Sequence, residues 1–366
     1  MTATLPYRWY TDPEVLEAER ARLFAPAWHY AGHLGLVAEP GSYFTCRAGD
    51  VPVVVVRDRD GALRALVNVC RHRGAEVVSG AGRCTTLQCH YHAWTYALDG
   101  TLRAAPRASA EELDRDALGL RAAALDTWGP FVFVHADAAP PRSLADTLGP
   151  LPDLVARGGL DVDALAFHHR SQYALQANWK VAVENFLECY HCAVAHPGFS
   201  DVIDVDEQAY RLESHPTFAS HYARVRERPR GSHYDATGLD GQFHLVWPAL
   251  KVNVMPGRAN LSIGPLTPVS PARTEGVLDY FFAADEDPAW IADYMALDDQ
   301  VGAEDRVLVE SVQRGMASGV FAHGELLLPS EDLIAAFQRW VADGLQNSSR
   351  GNASVHEREQ IRLSPS

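Results

Sequence analysis

The sequence has no uninterrupted apolar run of the roughly 18 residues that a membrane-crossing helix needs, so no membrane span is expected. Its opening, MTATLPYRWYTDPEVLEAER, has neither a basic start nor an apolar core, so no secretory signal is expected there. Basic runs are missing too. The formal net charge of −15 would repel phosphate backbones, which removes nucleic acid as a partner. Cysteine is scarce, with six in 366 residues, at 46, 70, 84, 89, 189 and 192. In a long chain without a secretory signal these read as thiols in the reducing cytoplasm, not as a disulfide framework. No Gly-x-Gly-x-x-Gly follows a strand pattern, so any nicotinamide chemistry must be done by another chain.

What is present is a globular composition, 47% hydrophobic and 22% charged, on a chain long enough for two domains. The predicted fold class is α+β. Thr11-Asp12-Pro13-Glu14 reads as a helix start, and Val15, Leu16, Ala18, Leu23, Phe24 and Trp28 give that segment one apolar face. Residues 1–34 are therefore a helical part. Residues 35–134 change texture to short β-type runs, such as Val51 to Val56 and Phe131 to Val134, broken by Asp-Gly turns; this reads as an all-β module. Residues 135–345 mix strand runs with helices predicted at about 178–193, 298–317 and 331–345, which reads as helices over an antiparallel sheet. The segment 108–116 reads as surface loop or short helix, and 346–366 as a polar tail.

Two constellations carry chemistry. The first lies in NVCRHRGAEVVSGAGRCTTLQCHYHAW: Cys70-x-His72, a 16-residue gap, then Cys89-x-x-His92. Each half supplies one thiolate and one imidazole from a tight loop. Two thiolates and two imidazoles can hold one structural zinc, or a diiron cluster with cysteines on one iron and histidines on the other. Zinc halves usually pair like with like, whereas these are mixed. The pattern resembles the signature of Rieske-type oxygenases, with Asn68, Arg71, Arg73, Gly74 and Tyr91-His92-Ala93-Trp94 also alike. His90 departs from it, standing where that family usually has proline. The resemblance implies a Rieske [2Fe–2S] cluster on Cys70, His72, Cys89 and His92, with a potential well above that of an all-cysteine cluster.

The second constellation lies in NWKVAVENFLECYHCAVAHP. Glu184, Glu188 and His191 are spaced to share one helix face, but His196 would lie about 140° away from His191 on an ideal helix. Both histidines can reach one metal only if the helix ends or bends between them, and Pro197 favours an ending there. Two histidines and a carboxylate make the facial triad that holds Fe(II) with positions open to O₂. Asp305 is the expected carboxylate, because it falls on the stripe of Leu308, Val309, Val312 and Met316. Asp298 and Asp299 are the alternatives; Glu304 and Glu310 are expected to point elsewhere. A thiol-redox or zinc role for Cys189 and Cys192 is the rival reading of this segment.

Glu188-x-x-His191-x₄-His196 with a late aspartate again resembles Rieske oxygenases, the matching acidic position usually being aspartate. The Glu-Cys-Tyr-His-Cys run and Ser311 to Gly315 are most similar to the branch acting on carnitine and glycine betaine. The resemblance spans about residues 5 to 345. It implies a mononuclear Fe(II) on His191, His196 and Asp305, and a Glu188 that bridges to a cluster histidine of the adjacent subunit in a head-to-tail homotrimer. It also implies an NAD(P)H-dependent flavin/iron–sulfur reductase, with or without a ferredoxin, and a small-molecule substrate with O₂. Oxidation of a betaine-like compound, by N-demethylation or carbon–nitrogen cleavage, is the expected reaction, with Phe186, Tyr190, Phe199 and Trp247 as candidate walls for its cation. The alternatives are hydroxylation, cis-dihydroxylation or O-demethylation of a neutral aromatic. A Rieske electron carrier without catalysis, or a zinc-stabilised binding protein, is the reading from another class.

Overall fold

The computed structural model describes residues 2–109, 114, 115, 117–206, 209–226 and 234–346. The tail expected from 346 lies outside these beyond Gln346, as does much of the 108–116 segment. Helix α1 (Pro13–Glu19) begins as the sequence predicts: Asp12 accepts a hydrogen bond from the Glu14 N–H at 2.9 Å, and proline opens the first turn. One wider turn, Arg20–Phe24, follows it.

The β module is a seven-stranded antiparallel sheet in the order 29–33, 131–135, 122–128, 63–67, 51–57, 42–48 and 81–83. Its first strand, His29–His33, precedes the boundary expected near residue 35. The polar-looking His-Tyr-Ala-Gly-His run is almost wholly buried, so composition alone does not mark it as a strand. A separate three-stranded sheet (87–88, 95–96, 102–104) carries the second cysteine loop.

The larger half is built on a second seven-stranded antiparallel sheet, ordered 165–175, 273–283, 260–270, 250–254, 241–246, 218–223 and 211–214. Short helices α2 (Leu144–Leu148) and α3 (Leu151–Arg157) precede it. Helices α4 (Trp179–Phe186), α5 (Cys192–Ala195), α6 (Pro197–Val202), α7 (Pro288–Ala317) and α8 (Asp332–Gln346) complete it. The helix expected over 178–193 thus ends at Phe186. Helix α7 starts ten residues earlier than the sequence suggests: Trp290, Ile291, Tyr294 and Leu297 are buried on it despite the acidic residues between them. Among the described residues no helix is long and apolar enough to cross a membrane.

Two buried polar joints set the geometry. Between the halves, Asp279 is fully buried and accepts both nitrogens of Arg170 at 2.6 Å and the Tyr30 hydroxyl at 2.6 Å. Around this joint Phe131 and Phe133 pack with Leu261, Ile263 and Phe281 into one core. Beneath α4, the Lys180 ammonium meets Glu19 at 2.6 Å with both side chains fully buried, and Trp179 Nε1 donates to the other carboxylate oxygen at 2.7 Å. A buried charge whose partner is removed costs far more than the intact pair gains. Lys180→Met is therefore expected to destabilise the protein by about 3–5 kcal/mol, and Lys180→Met with Glu19→Gln by clearly less. Thermal melts at one pH check this. Equal losses in the single and double variants would show that the pair does not act as a unit.

Candidate metal centres and substrate cavity

The two cysteine loops are built alike. In the first, the Cys70 N–H donates to the Ala75 carbonyl at 2.7 Å and the Gly74 N–H donates to the Cys70 carbonyl at 3.0 Å. In the second, the Cys89 N–H donates to the Trp94 carbonyl at 2.9 Å and the Ala93 N–H to the Cys89 carbonyl at 3.0 Å. The fourth residue after each cysteine takes a positive φ, 76° at Gly74 and 57° at Ala93, which turns the chain back. Both thiols are buried, whereas His72 and His92 are exposed with ring centroids 4.7 Å apart. The Tyr96 hydroxyl lies 3.3 Å from Cys70 Sγ, and Trp94 stacks on His72 at 5.0 Å. His90 is exposed, and Cys46 and Cys84 are free and half-buried. Among the described residues only His191, His196 and Asp305 gather their donor atoms within the span of one ion, 4.8 Å. The four donors of the cysteine loops are spread more widely, which suits two bridged irons better than one zinc.

The second centre forms where the α4 pattern breaks. Asn178 caps α4 by accepting from the Lys180 N–H at 3.0 Å. After Leu187, Glu188 turns its carboxylate onto the chain ahead, accepting from the Tyr190 N–H and from the His191 N–H at 3.2 Å. This corrects the expectation that Glu184, Glu188 and His191 share one helix face. Glu184 is instead buried against the Tyr10 hydroxyl at 2.6 Å and Gln338 Nε2 at 3.0 Å. Cys189 and Cys192 are joined by a disulfide, not held as thiols; the turn brings their Cα atoms to 4.9 Å, within disulfide reach. His196 ends α5, and Pro197 opens α6 directly after it, so the chain bends between the histidines as their spacing requires.

The result is a convergent set. His191 Nε2 lies 3.0 Å from His196 Nε2, and Asp305 Oδ1 lies 3.0 Å from His196 Nε2 and 3.5 Å from His191 Nε2. Ligands about 2.1 Å from one ion and at right angles stand about 3 Å apart, so the three atoms fit one face of an octahedral ion. Each ring is held from behind. Glu188 Oε1 accepts from His191 Nδ1, and Glu304 Oε2 from His196 Nδ1 at 2.7 Å. With Nδ1–H donated to a carboxylate, the Nε2 lone pair of each ring points inward. Burial alone would lower the His191 pKa, but its bonds to Asp305 and Glu188 raise it to about 9. Burial likewise works against ionisation of Asp305, yet the two histidines hold its pKa well below the usual carboxylate range. Groups that concentrate negative charge so strongly also favour a divalent cation.

Glu304 is the residue the sequence reading missed, having been expected to point elsewhere. It stands one position from Asp305, about 100° round the helix, and reaches His196 only because that ring sits between the two carboxylates. Asp298, an alternative ligand, accepts the Tyr280 hydroxyl at 2.6 Å instead, and Asp299 also stays out of the donor set. Val312 on the expected inward stripe is exposed.

A cavity of about 430 Å³ opens beside the three donors. Phe186 and Phe199 line it, as do Tyr210, His221 and Phe243. Tyr190 and Trp247, expected as substrate walls, do not: Tyr190 is 63% exposed, and Trp247 packs against Phe337 and Trp340 of α8. His221 is wholly enclosed, and burial lowers its pKa to about 3, so it is a neutral ring at physiological pH.

Comparison with known proteins shows the family and the fold. The family pattern of the Rieske [2Fe–2S] domain matches residues 27–124, and that of the ring hydroxylating alpha subunit (catalytic domain) matches 162–347. The chain is 34% identical over 336 residues to the carnitine monooxygenase oxygenase subunit of Escherichia coli (strain K12), covering 89% of this chain and 88% of that one. It is 32% identical over 346 residues to the chloroplastic choline monooxygenase of Amaranthus tricolor, covering 92% and 77%. Among solved structures, a quaternary ammonium Rieske monooxygenase in complex with L-carnitine superposes with a TM-score of 0.82 at 31% identity, over 94% of this chain and 96% of that one. The fold alone is shared with naphthalene 1,2-dioxygenase from Rhodococcus sp., at a TM-score of 0.79 and 20% identity over 94% and 95%.

Removing a carboxylate that steers a metal-binding histidine typically weakens metal affinity by about 10–100-fold. Glu304→Gln is expected to show that loss in an iron titration while the visible spectrum of the cluster is unchanged. Undiminished affinity would mean that Glu304 only packs against His196.

Proposed function

The chain belongs to the Rieske oxygenases of the ring-hydroxylating alpha-subunit type, and on that premise we propose that it is the oxygenase component of a monooxygenase acting on a small quaternary ammonium compound of betaine type. It is an oxidoreductase with a Rieske [2Fe–2S] cluster and a mononuclear iron. We assign the cluster to Cys70, Cys89, His72 and His92, and the mononuclear iron to His191, His196 and Asp305. When bound, the iron supplies the O₂ activation that no side chain can perform.

The observation that carries the substrate reading is the cavity wall. Phe199, Tyr210, His221 and Phe243 form a chain of ring contacts with centroids 5.1–6.1 Å apart. Phe199 lies beside the ligand candidate His196, at 6.4 Å. Aromatic faces attract a quaternary ammonium without needing a hydrogen bond from it. Asp298 adds a carboxylate to the same cavity. A neutral aromatic substrate, the rival reading, gains nothing from the attraction of these ring faces for a cation. The relatives named for carnitine and choline support the cationic reading. Hydroxylation of the carbon next to such a nitrogen leaves an unstable carbinol that expels the amine and an aldehyde.

We propose that the two assigned centres meet across the boundary with a partner copy. His72, His92 and the 57% exposed Tyr91 lie at the surface of one half, while Tyr190 and the 90% exposed Val194 flank the loop of Glu188. These are the two faces that a head-to-tail homotrimer would bring together. Electrons would enter from an NAD(P)H-dependent flavin/iron–sulfur reductase, with or without a ferredoxin, in the cytoplasm. Glu188 is then the positioning residue between subunits. It is not free on one side, because Oε2 already accepts two backbone N–H groups; a neighbour's imidazole would have to share that oxygen.

Two measurements test this. Supplied with reductase, NADH and O₂, the protein is expected to release an aldehyde in step with NADH use on quaternary amines, and not on simple aromatics; the opposite preference refutes the substrate reading. Glu188→Gln is expected to keep both metals and slow cluster oxidation in stopped flow at least tenfold. Cluster oxidation at the unaltered rate, with iron fully loaded, would end the bridging role.

A further inference from the structure

The chain contains only two lysines, Lys180 and Lys251, among its 32 basic side chains. Arginine carries all the rest, surface charge included, and its planar fork is not interchangeable with the compact ammonium of lysine. Lys180 is neutralised by Glu19. Lys251 lies in the strand Leu250–Val254 and lines the substrate cavity. Among the described residues no carboxylate lies within the 4.0 Å of an ion pair from its nitrogen. The ammonium instead sits over two rings, 5.4 Å from the centroid of Tyr173 and 5.6 Å from that of Phe186. Beside it the buried Tyr173 hydroxyl has no partner within 3.5 Å, its near neighbour being the ammonium itself. Burial works against the ammonium, but Tyr173, Asp298 and Asp305 hold its pKa above the ordinary lysine value, so it is charged at neutral pH.

An enclosed cation without an anion is costly, and so is a buried hydroxyl without an acceptor. One group answers both: a carboxylate entering the cavity accepts from the ammonium and from the phenol at once. The aromatic walls then divide. Tyr173 and Phe186 carry Lys251, which leaves Phe199, beside His196, and its ring neighbour Phe243 to receive a substrate cation. The cavity has an anion end and a cation end.

We propose that Lys251, with the Tyr173 hydroxyl, binds the carboxylate of a zwitterionic quaternary ammonium substrate, so that this chain selects betaines over quaternary amines that lack an acid group. This rests on the quaternary ammonium reading above and narrows it. A compound such as choline would bring a second cation into the cavity and no carboxylate of its own for Lys251 and Tyr173.

Calorimetry on the holoenzyme, without turnover, separates the two readings. The probes are L-carnitine, γ-butyrobetaine and glycine betaine, the methyl ester of each, choline, and naphthalene. At least one acid is expected to bind ten- to a hundredfold more tightly than its own ester, since charged hydrogen bonds carry differences of that size. Lys251→Met is expected to erase that preference and leave ester binding unchanged or improved, while Lys251→Arg keeps part of it; melting temperature and iron content show that each variant is folded. Should Lys251→Met fail to fold, the acid–ester comparison in the unaltered protein decides alone. Esters and choline binding as tightly as the acids would overturn the role of Lys251 and leave the quaternary ammonium reading standing. Naphthalene binding with none of the quaternary amines would overturn both.

Discussion

The carboxylate-to-imidazole hydrogen bond is the contact on which the proposed iron centre depends. A histidine ring can present either nitrogen, and a ring free to choose is a poor ligand. Here Glu188 holds His191 Nδ1 and Glu304 holds His196 Nδ1, and both Nε2 atoms are turned to one point beside Asp305. The two carboxylates come from different parts of the chain, one from the turn after α4 and one from the middle of α7. The centre is therefore a meeting of elements, and its precision is that of their packing. The same bonds concentrate negative charge in a partly enclosed site, which protons or a divalent cation can neutralise.

How much of this was legible in the sequence follows the physical range of each signal. Spacing within a loop is local, so Cys70-x-His72 and Cys89-x-x-His92 can be recognised without knowing what surrounds them. The five-residue interval between His191 and His196, with Pro197 behind, likewise implies the observed break in the helix. Glu304 was not legible, because its contact with His196 is made across 108 residues and depends on how α7 lies. The helix over 178–193 was overextended for a related reason: Glu188 competes for backbone N–H groups, and such side-chain capping leaves no trace in apolar periodicity. Lys251 sits in a strand that reads as ordinary core. Only the enclosed cavity shows that its charge has no carboxylate in contact among the described residues. Tyr190 and Trp247 were good candidates by residue type, but type does not fix direction.

The division of the molecule bears on its chemistry. Arg170, Asp279 and Tyr30 lock the β module to the larger sheet, so the exposed His72–His92 edge keeps a fixed bearing relative to the cavity. The thiols stay buried while the imidazoles face outward. On the proposed assignment that suits a relay addressed to another molecule, whereas His191, His196 and Asp305 open onto an enclosed space suited to a substrate.

Helix α4 is stitched at one point by both extremes of the chain: Glu184 accepts from the Tyr10 hydroxyl near the start and from Gln338 of α8 near the other end, and Gln338 also donates to Tyr10 at 3.2 Å. That knot lies just before the turn bearing Glu188 and His191. During synthesis Tyr10 leaves the ribosome long before Gln338, and until Gln338 emerges the knot beneath the proposed iron ligands lacks one of its three side chains. The cysteine loops, whose hydrogen bonds are local, have no such wait. The two candidate centres thus differ in reach: the four cysteine-loop donors lie within residues 70–92, whereas the support of the second centre draws on residues from Tyr10 to Gln338.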